Sequence, residues 1–536
     1  MVFSVRMNQG MLFDHLKNPG FYGPSVTSVK LLQTHISYVA LTGTYAYKVK
    51  KPVNFGFLDF STLDKRKYFC EEELRLNRRL SPEIYLDVLP ITKTDSTLEL
   101  NGSGHIVDYA LKMKEFPQEQ IMTNILKRGA ITEEIIDQLC QRLIEFYSTQ
   151  QPTEDITKFG EVHAVKQNID ENFEQTKPMI DITVSKETFH YISDAATRFF
   201  EKKKNVFKHR MNDGRILDCH GDLHSGNIVI TDHKIQIFDC IEFNERFRYI
   251  DVASDIGFLA MDLDYQNYPY LSCHLIQNYI EQSGDRGIHE VLNFYKSYRA
   301  YVRGKVHGFQ LNDPHISPET KQDIVHHAKK YFDLSKYYAE LFSRDLRATR
   351  PLVFIVSGLT GTGKSTIARK LAVDYHAAQI NTDVVRKKYA GIEKYERHHD
   401  EFSTGLYSPE NIDRTYEQVM DLAAQHLRNK ENAVLDATFQ KRSYRDMARD
   451  IAKNHHATPV FISCTCPDEV VKRRLEERLK KKSVSDGRWE IYRQQQKTFE
   501  PFSSDEPFLT MDTSNESYEY RMGFLRTLLY HAGEVT

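Results

Sequence analysis

Apolar and polar positions alternate through VTSVKLLQTHISYVAL (26–41), TYAYKVKK (44–51) and IVDYALKMKEF (106–116). A period of two marks strands with one covered face. Residues 64–80, between them, follow a helical period instead. From 116 to 345 the helical period dominates, broken by two short apolar runs, NIVI and IQIFD, around 227–239. This part ends on PETKQDIVHHAKKYFDLSKYYAELFSRD (318–345), a long amphipathic helix by its spacing. After the polar, basic LRATRP the pattern changes: the strand-like runs LVFIVSG, AAQINT, AVLDAT and PVFISC alternate with helical stretches. Such alternation predicts a parallel sheet covered by helices on both faces. The pattern therefore predicts two domains. Residues 1–345 are α+β, with a β-lobe at about 25–115 and an α-lobe at 116–345. Residues 351–536 are α/β, and the boundary lies near 346–351.

A chain of 536 residues is too long for one compact core, which agrees with that division. Hydrophobic residues make up 40% and charged residues 27%, ordinary values for a globular protein. The formal net charge of -2 provides no global basic footprint of the kind nucleic-acid binders carry. No apolar run reaches membrane-spanning length, and the first residues, MVFSVRMNQGMLFDHL, lack the apolar core of a signal peptide. The seven cysteines are scattered and odd in number, which argues against a disulfide framework. Cys464-Thr-Cys466 reads as buried thiols on a strand. The expected setting is the cytoplasm, away from membranes; the oligomeric state is left open.

Chemistry enters with Gly358-Leu-Thr-Gly361-Thr362-Gly363-Lys364-Ser365-Thr366, which follows the run LVFIVS and precedes a helical stretch. The pattern GxxxxGK[ST] needs that setting. Glycines let backbone N–H groups wrap phosphates, and the helix N-terminus adds the positive end of its dipole. Lys364 would reach the β- and γ-phosphates, and the Ser365 hydroxyl would bind Mg²⁺. Asp436 closes the run AVLD where a second metal-binding acid would stand. Asp383 and Arg386, one helical turn apart, would take a proton from an attacking hydroxyl and grip the acceptor. The basic stretch from 470 to 489, with Arg473, Arg474, Arg478 and Arg488, reads either as a lid over the transferred phosphoryl group or as a solvated charged helix. Over about 352–505 the sequence resembles the P-loop kinases that include gluconate kinase, chloramphenicol phosphotransferase, zeta toxin and the polynucleotide 5′-hydroxyl kinases.

A second signature lies at Cys219-His220-Gly-Asp222-Leu-His224-Ser-Gly-Asn227, followed by IQIFD ending at Asp239. Protein kinases place an Asp and an Asn five residues apart in their catalytic loop and a metal-binding Asp after the next hairpin. On that pattern Asp222 would orient or deprotonate an acceptor hydroxyl, while Asn227 and Asp239 would hold Mg²⁺ on the phosphates.

This segment resembles the aminoglycoside phosphotransferase (kinase-like) family, which includes choline and homoserine kinases. Through THISYVALTG, YKVKKPVNFGFLDFSTL, CEEELRLNRRLSPEIYL, HGDLHSGN and the P-loop behind them, the chain is similar to two-domain fusions described as bifunctional aminoglycoside phosphotransferase/ATP-binding proteins. The resemblance implies a bilobal kinase-like fold for 1–345 and a P-loop fold for 351–536, both using ATP and Mg²⁺. It also implies that Lys48 grips the nucleotide phosphates, with Lys50 in reserve. Glu73, rather than Glu72, would pair with it, and Asp251 and Asp255 would support the catalytic loop. The turn before Lys48 offers only Thr42-Gly43-Thr44 in place of a GxGxxG. Arg299 and Arg303 share a helix face and are read as answering buried carboxylates, with an anionic acceptor as the other reading. The expected function is a kinase with two modules acting on a hydroxyl of a small molecule. A polynucleotide 5′-hydroxyl kinase, and a nucleotide-binding regulatory or toxin-like protein with one catalytic module, are the alternatives.

Overall fold

In a computed structural model the described residues are 9–94, 97–231, 234–313, 316–343, 350–392, 405–479, 487–515 and 517–531. The chain divides into two compact units, one of residues 1–189, 200–266 and 278–331 and one of 190–199, 267–277 and 332–536. The helix expected at 318–345 runs Pro318–Phe342. The boundary expected near 346–351 falls mostly on 344–349, outside the described residues.

In the first unit a helix at Gln9–Lys17 precedes a six-stranded antiparallel sheet. Its strands are β1 (Lys30–Gln33), β2 (Ser37–Leu41), β3 (Tyr45–Lys50), β4 (Tyr85–Thr94), β5 (Thr97–Leu100) and β6 (His105–Lys114), in the order β1-β2-β3-β6-β4-β5. The expected strand at 26–41 is two strands, because Thr34 accepts hydrogen bonds from Ile36 and Ser37 and turns the chain. Helix α1 (Leu63–Asn77) starts where the Thr62 side chain accepts from the Lys65 amide. It lies against β4 and β6, and a buried ion pair from Arg66 Nε to Asp108 Oδ1, 2.8 Å long, ties it to β6. The unit continues in helices, interrupted by β7 (Ile216–Asp218), the hairpin of β8 (Ile228–Thr231) and β9 (Lys234–Ile237), and β10 (Tyr249–Asp251), which pairs antiparallel with β7. Helix α2 (Val252–Tyr265) is buried along its whole length and packs against α3 (Leu292–Phe309). A small antiparallel sheet followed by a largely helical lobe that carries the 219–227 loop is a kinase-like architecture.

The second unit holds a parallel sheet of β11 (Leu352–Ser357), β12 (Ala377–Asn381), β13 (Asn432–Asp436), β14 (Thr458–Thr465) and β15 (Leu509–Asp512), ordered β12-β13-β11-β14-β15. Every residue of the central strand β11 is buried, as a sheet covered on both faces requires. The helices α4 (Lys364–Asp374), α5 (Thr382–Tyr389), α6 (Pro409–Arg428), α7 (Arg442–Asn454), α8 (Asp468–Leu479) and α9 (Trp489–Thr498) connect and cover it. Cys464 is buried on β14, but Cys466 lies past the end of that strand and is only half-buried, correcting the reading of two strand thiols.

Candidate functional site

The β3 strand, α1, the 219–227 loop and the turn after β9 bring five of the expected residues of the first unit together. Lys48 Nζ lies 2.7 Å from Glu73 Oε1 and 2.8 Å from Asp239 Oδ1. Lys50, two residues on and on the same face, bonds Glu73 Oε2 at 2.6 Å with its other side against Glu242. Glu73 is fully buried between the two ammonium groups. Burial alone would raise its pKa, but Lys48 and Lys50 outweigh that and hold it at about 2. Burial pushes Glu242 the other way, above the usual carboxylate range. Glu72 turns away and pairs with Arg75. Sequence reasoning did not find Glu242; it sits three residues past Asp239, and only the fold brings it to Lys50.

The loop that carries Asp222 is held on three sides. Asp255, near the start of α2, accepts from the amides of His220 and Gly221 at 2.8 and 2.9 Å. Asp262, two turns along α2, accepts from the Ser225 amide at 2.9 Å. The His220 ring bonds the Phe238 carbonyl oxygen at 3.0 Å. Gly221 sits at φ +86°, and a Cβ there would come within 2.6 Å of the Phe247 carbonyl oxygen, so only glycine makes this turn. Asp251 supports the loop less directly: it caps α2 at Ala253 and ion-pairs with Arg210 at 2.6 Å. Arg299 donates to the Gly221 carbonyl oxygen at 2.8 Å and to Ser254 Oγ at 3.0 Å. Its partners are therefore a carbonyl and a hydroxyl, where buried carboxylates were expected.

Within this frame Asn227 Nδ2 donates to Asp222 Oδ2 and to the Asp222 carbonyl oxygen, each at 3.0 Å. His224 Nε2 stands 3.4 Å from the same carboxylate oxygen. Burial would raise the Asp222 pKa, yet His224 and Arg303 hold it well below the usual carboxylate range. Asp222 is thus an ionised, oriented hydrogen-bond acceptor. Asp239 adopts φ +63°, a left-handed backbone that non-glycine residues seldom take, and its side chain is about half exposed. A magnesium ion fits this donor set. The carboxylate of Asp239 and the amide oxygen of Asn227, whose nitrogen is spent on Asp222, are hard oxygen donors of the kind Mg²⁺ takes alongside phosphates.

In the second unit the loop after β11 turns through Gly358, Gly361 and Gly363, all at positive φ. Gly363 caps α4, and a Cβ there would lie 2.9 Å from Thr513 Oγ1. Lys364 and Ser365 open the helix, with Thr366 exposed on its first turn. Ser365 Oγ lies 3.2 Å from Asp436 Oδ1, and Asn381 Nδ2 holds Asp436 Oδ2 at 2.6 Å. A hydroxyl and a carboxylate from adjacent elements form a donor pair that Mg²⁺ fits in the same way. Asn381 also caps α5 by accepting from the amides of Asp383 and Val384. Arg386 and Asp383 bond each other at 2.8 Å, and the Arg386 guanidinium lies 4.6 Å from the Tyr407 ring centre. The sequence did not announce that Gln495 of α9 accepts from the Thr360 amide inside the loop, at 2.8 Å. Arg474 on α8 is fixed to Thr513, bonding its hydroxyl at 2.9 Å and its carbonyl at 2.7 Å. Thr513 in turn donates to the Thr362 carbonyl oxygen, so α8 is tied to the loop itself.

Residues 353–502 match a family model described as an AAA domain. Over 447 residues the chain is 29% identical to an uncharacterized protein of Mycobacterium tuberculosis, covering 83% of this chain and 86% of that one. Among solved structures, it is similar to a choline kinase from Cryptosporidium parvum Iowa II at 12% identity and a TM-score of 0.36, over 60% of this chain and 92% of that one. A gluconokinase from Sinorhizobium meliloti 1021 is similar at 18% identity and a TM-score of 0.25, over 34% of this chain and 94% of that one.

Proposed function

We propose that the chain is an ATP- and magnesium-dependent kinase with two phosphotransfer sites, the first acting on a hydroxyl of a small molecule. The observation that carries this reading is the convergence of Lys48, Glu73, Asp222, Asn227 and Asp239 from separate segments of the first unit. Lys48, oriented by Glu73, would hold the nucleotide phosphates. Asp222 would accept a hydrogen bond from the acceptor hydroxyl and fix its oxygen in line with the γ-phosphorus. The acceptor oxygen forms a bond to that phosphorus while the bond to the β-bridging oxygen breaks; ADP leaves, and the hydroxyl proton passes to Asp222 and on to solvent. Asn227 and Asp239 would hold magnesium, which would supply positive charge to offset that on the phosphates.

In the second unit Lys364, Ser365 and the backbone amides of the loop would bind the phosphates of a second ATP, with Asp436 beside the metal. Asp383 and Arg386 are the acceptor-side groups there. A 5′-hydroxyl nucleic-acid end remains the second reading for that site, because a paired carboxylate and guanidinium on one helix suit a hydroxyl close to a phosphate.

The test follows labelled γ-phosphate from ATP into a pool of small hydroxyl compounds and into a 5′-hydroxyl oligonucleotide. Label on small molecules that is lost in Asp222→Asn supports the first site as a small-molecule kinase. Label on the oligonucleotide that is lost in Lys364→Ala assigns the second site to nucleic-acid ends. Absence of transfer to every acceptor, with ATP bound, would sink the kinase reading.

A further inference from the structure

Arg303 is a cation beside Asp222 that helps hold that carboxylate ionised, and the phosphotransfer reading gives it no contact with nucleotide, metal or acceptor. It stands one helical turn beyond Arg299 on α3, but the two differ. Arg299 is spent on Gly221 and Ser254. The Arg303 guanidinium hydrogen-bonds the Tyr331 side chain and is within electrostatic reach of the Asp222 and Asp262 carboxylates, yet among the described residues it is joined to neither carboxylate in an ion pair. Asp262 is already engaged by the Ser225 amide.

The surroundings of Arg303 are those of a binding wall. Its guanidinium lies 5.7 Å from the centre of the Tyr331 ring, which stacks on Tyr265 at 3.7 Å. His307, a further turn along α3, is 5.4 Å from Tyr331 and 6.0 Å from the His327 ring. His327 in turn bonds the Tyr265 hydroxyl at 2.5 Å. Burial, aided by Arg303 and His327, pushes the His307 pKa down to about 4, so this ring is neutral and able to hydrogen-bond at physiological pH. An ammonium group in contact with the guanidinium itself would meet a like charge, although the Asp222 and Asp262 carboxylates lie within electrostatic reach. A carboxylate or phosphate would meet a planar guanidinium with its donors in a fork.

We propose that Arg303 binds an oxyanion on the acceptor, so that the first site phosphorylates a hydroxyl compound that also carries a carboxylate or a phosphate. The inference rests on the reading of that site as a small-molecule kinase and names its substrate class. It also separates this site from the cationic acceptors suggested by an amino-sugar or choline kinase resemblance.

The test uses the full chain carrying Lys364→Ala, which silences the second site, with labelled ATP and a small-molecule cell extract split by anion exchange. Labelled product is expected from the retained, anionic fraction. Arg303→Gln is expected to raise the amount of that fraction needed for half-maximal rate by tenfold or more. Its maximal rate should stay within a few-fold of the parent, and Arg303→Lys should recover part of the loss. Prior treatment of the fraction with alkaline phosphatase separates the two anions: loss of acceptor means a phosphate, survival a carboxylate. Label arising only from the unretained fraction overturns the proposal while leaving the kinase reading intact. So does an Arg303→Gln chain whose half-saturation is unchanged. No label from either fraction overturns the kinase reading of the first site itself.

Discussion

The two sites are built in opposite ways. The second unit makes its phosphate-binding loop from nine consecutive residues, Gly358–Thr366, with Asp436 as the main addition from elsewhere. Among its described residues the first unit has no such loop. It assembles its charges from β3, α1, the 219–227 loop and the turn after β9, and the contact between Lys48 and Asp239 spans 191 residues of chain. A local loop needs only correct backbone angles, so its cost is carried by glycines at positive φ. A dispersed site needs buried ion pairs, and these hold only when every partner is present. The first site is therefore expected to be coupled to the stability of its unit, and the second much less so.

That contrast can be broken experimentally. The largest effect is expected from Asp222→Asn, which keeps the shape of the side chain but removes its charge. Transfer by the first site should fall by about 10²–10⁴-fold, the usual range for a lost acid–base group, with ATP binding retained. Loss of ATP binding instead would mean that Asp222 serves the metal or the loop. Lys364→Ala should reduce turnover at the second site by about 10²–10³-fold, the scale of one lost charge-stabilising donor, without shifting the unfolding midpoint. A shifted midpoint would show that the local loop is not as independent as the contrast requires.

Lys50→Met sharpens the comparison from the stability side. Lys50 is 1% exposed and stands between Glu73 and Glu242, so its loss leaves two buried carboxylates facing each other. The expected destabilisation is about 3–5 kcal/mol by urea unfolding, the range for breaking a buried pair. Lys48→Met, at a position 15% exposed, should cost less stability and more activity. Equal losses from the two would remove the distinction between a phosphate-gripping lysine and a structural one.

The smallest effect is a pH dependence. Glu73 has its pKa depressed from 4.5 to about 2 in the folded chain. The stability it contributes is therefore complete above pH 4.5 and is lost as pH falls toward 2. Unfolding midpoints of wild type and Glu73→Gln should draw together across that window. Midpoints that stay parallel would contradict the depressed pKa.

How much of this was readable from the sequence follows the same contrast. The phosphate loop, its strand and its helix lie within one short segment, so pattern and chemistry coincide there. The 219–227 loop was legible for the same reason, because Asp222 and Asn227 are five residues apart. The strands β4 and β5 escaped notice: DVLPITKT carries a proline, and register shifts interrupt the pairing of β4 with β6. The partners Glu242, Gln495 and Thr513 were invisible because no spacing links them to Lys50, Thr360 and Arg474. The Arg299–Arg303 face was visible, but its partners were not. Helical spacing says which residues share a face and nothing about what stands opposite.

The central claim is that two separate sites use ATP. The most direct test measures initial rates of γ-phosphate loss from ATP, at saturating magnesium and with the acceptor pool present, for wild type, Asp222→Asn, Lys364→Ala and the double variant. The two single losses should sum to the wild-type rate, and the double variant should be nearly inactive. A single substitution that removes all turnover would contradict the claim, leaving one catalytic site and one that does not turn over ATP.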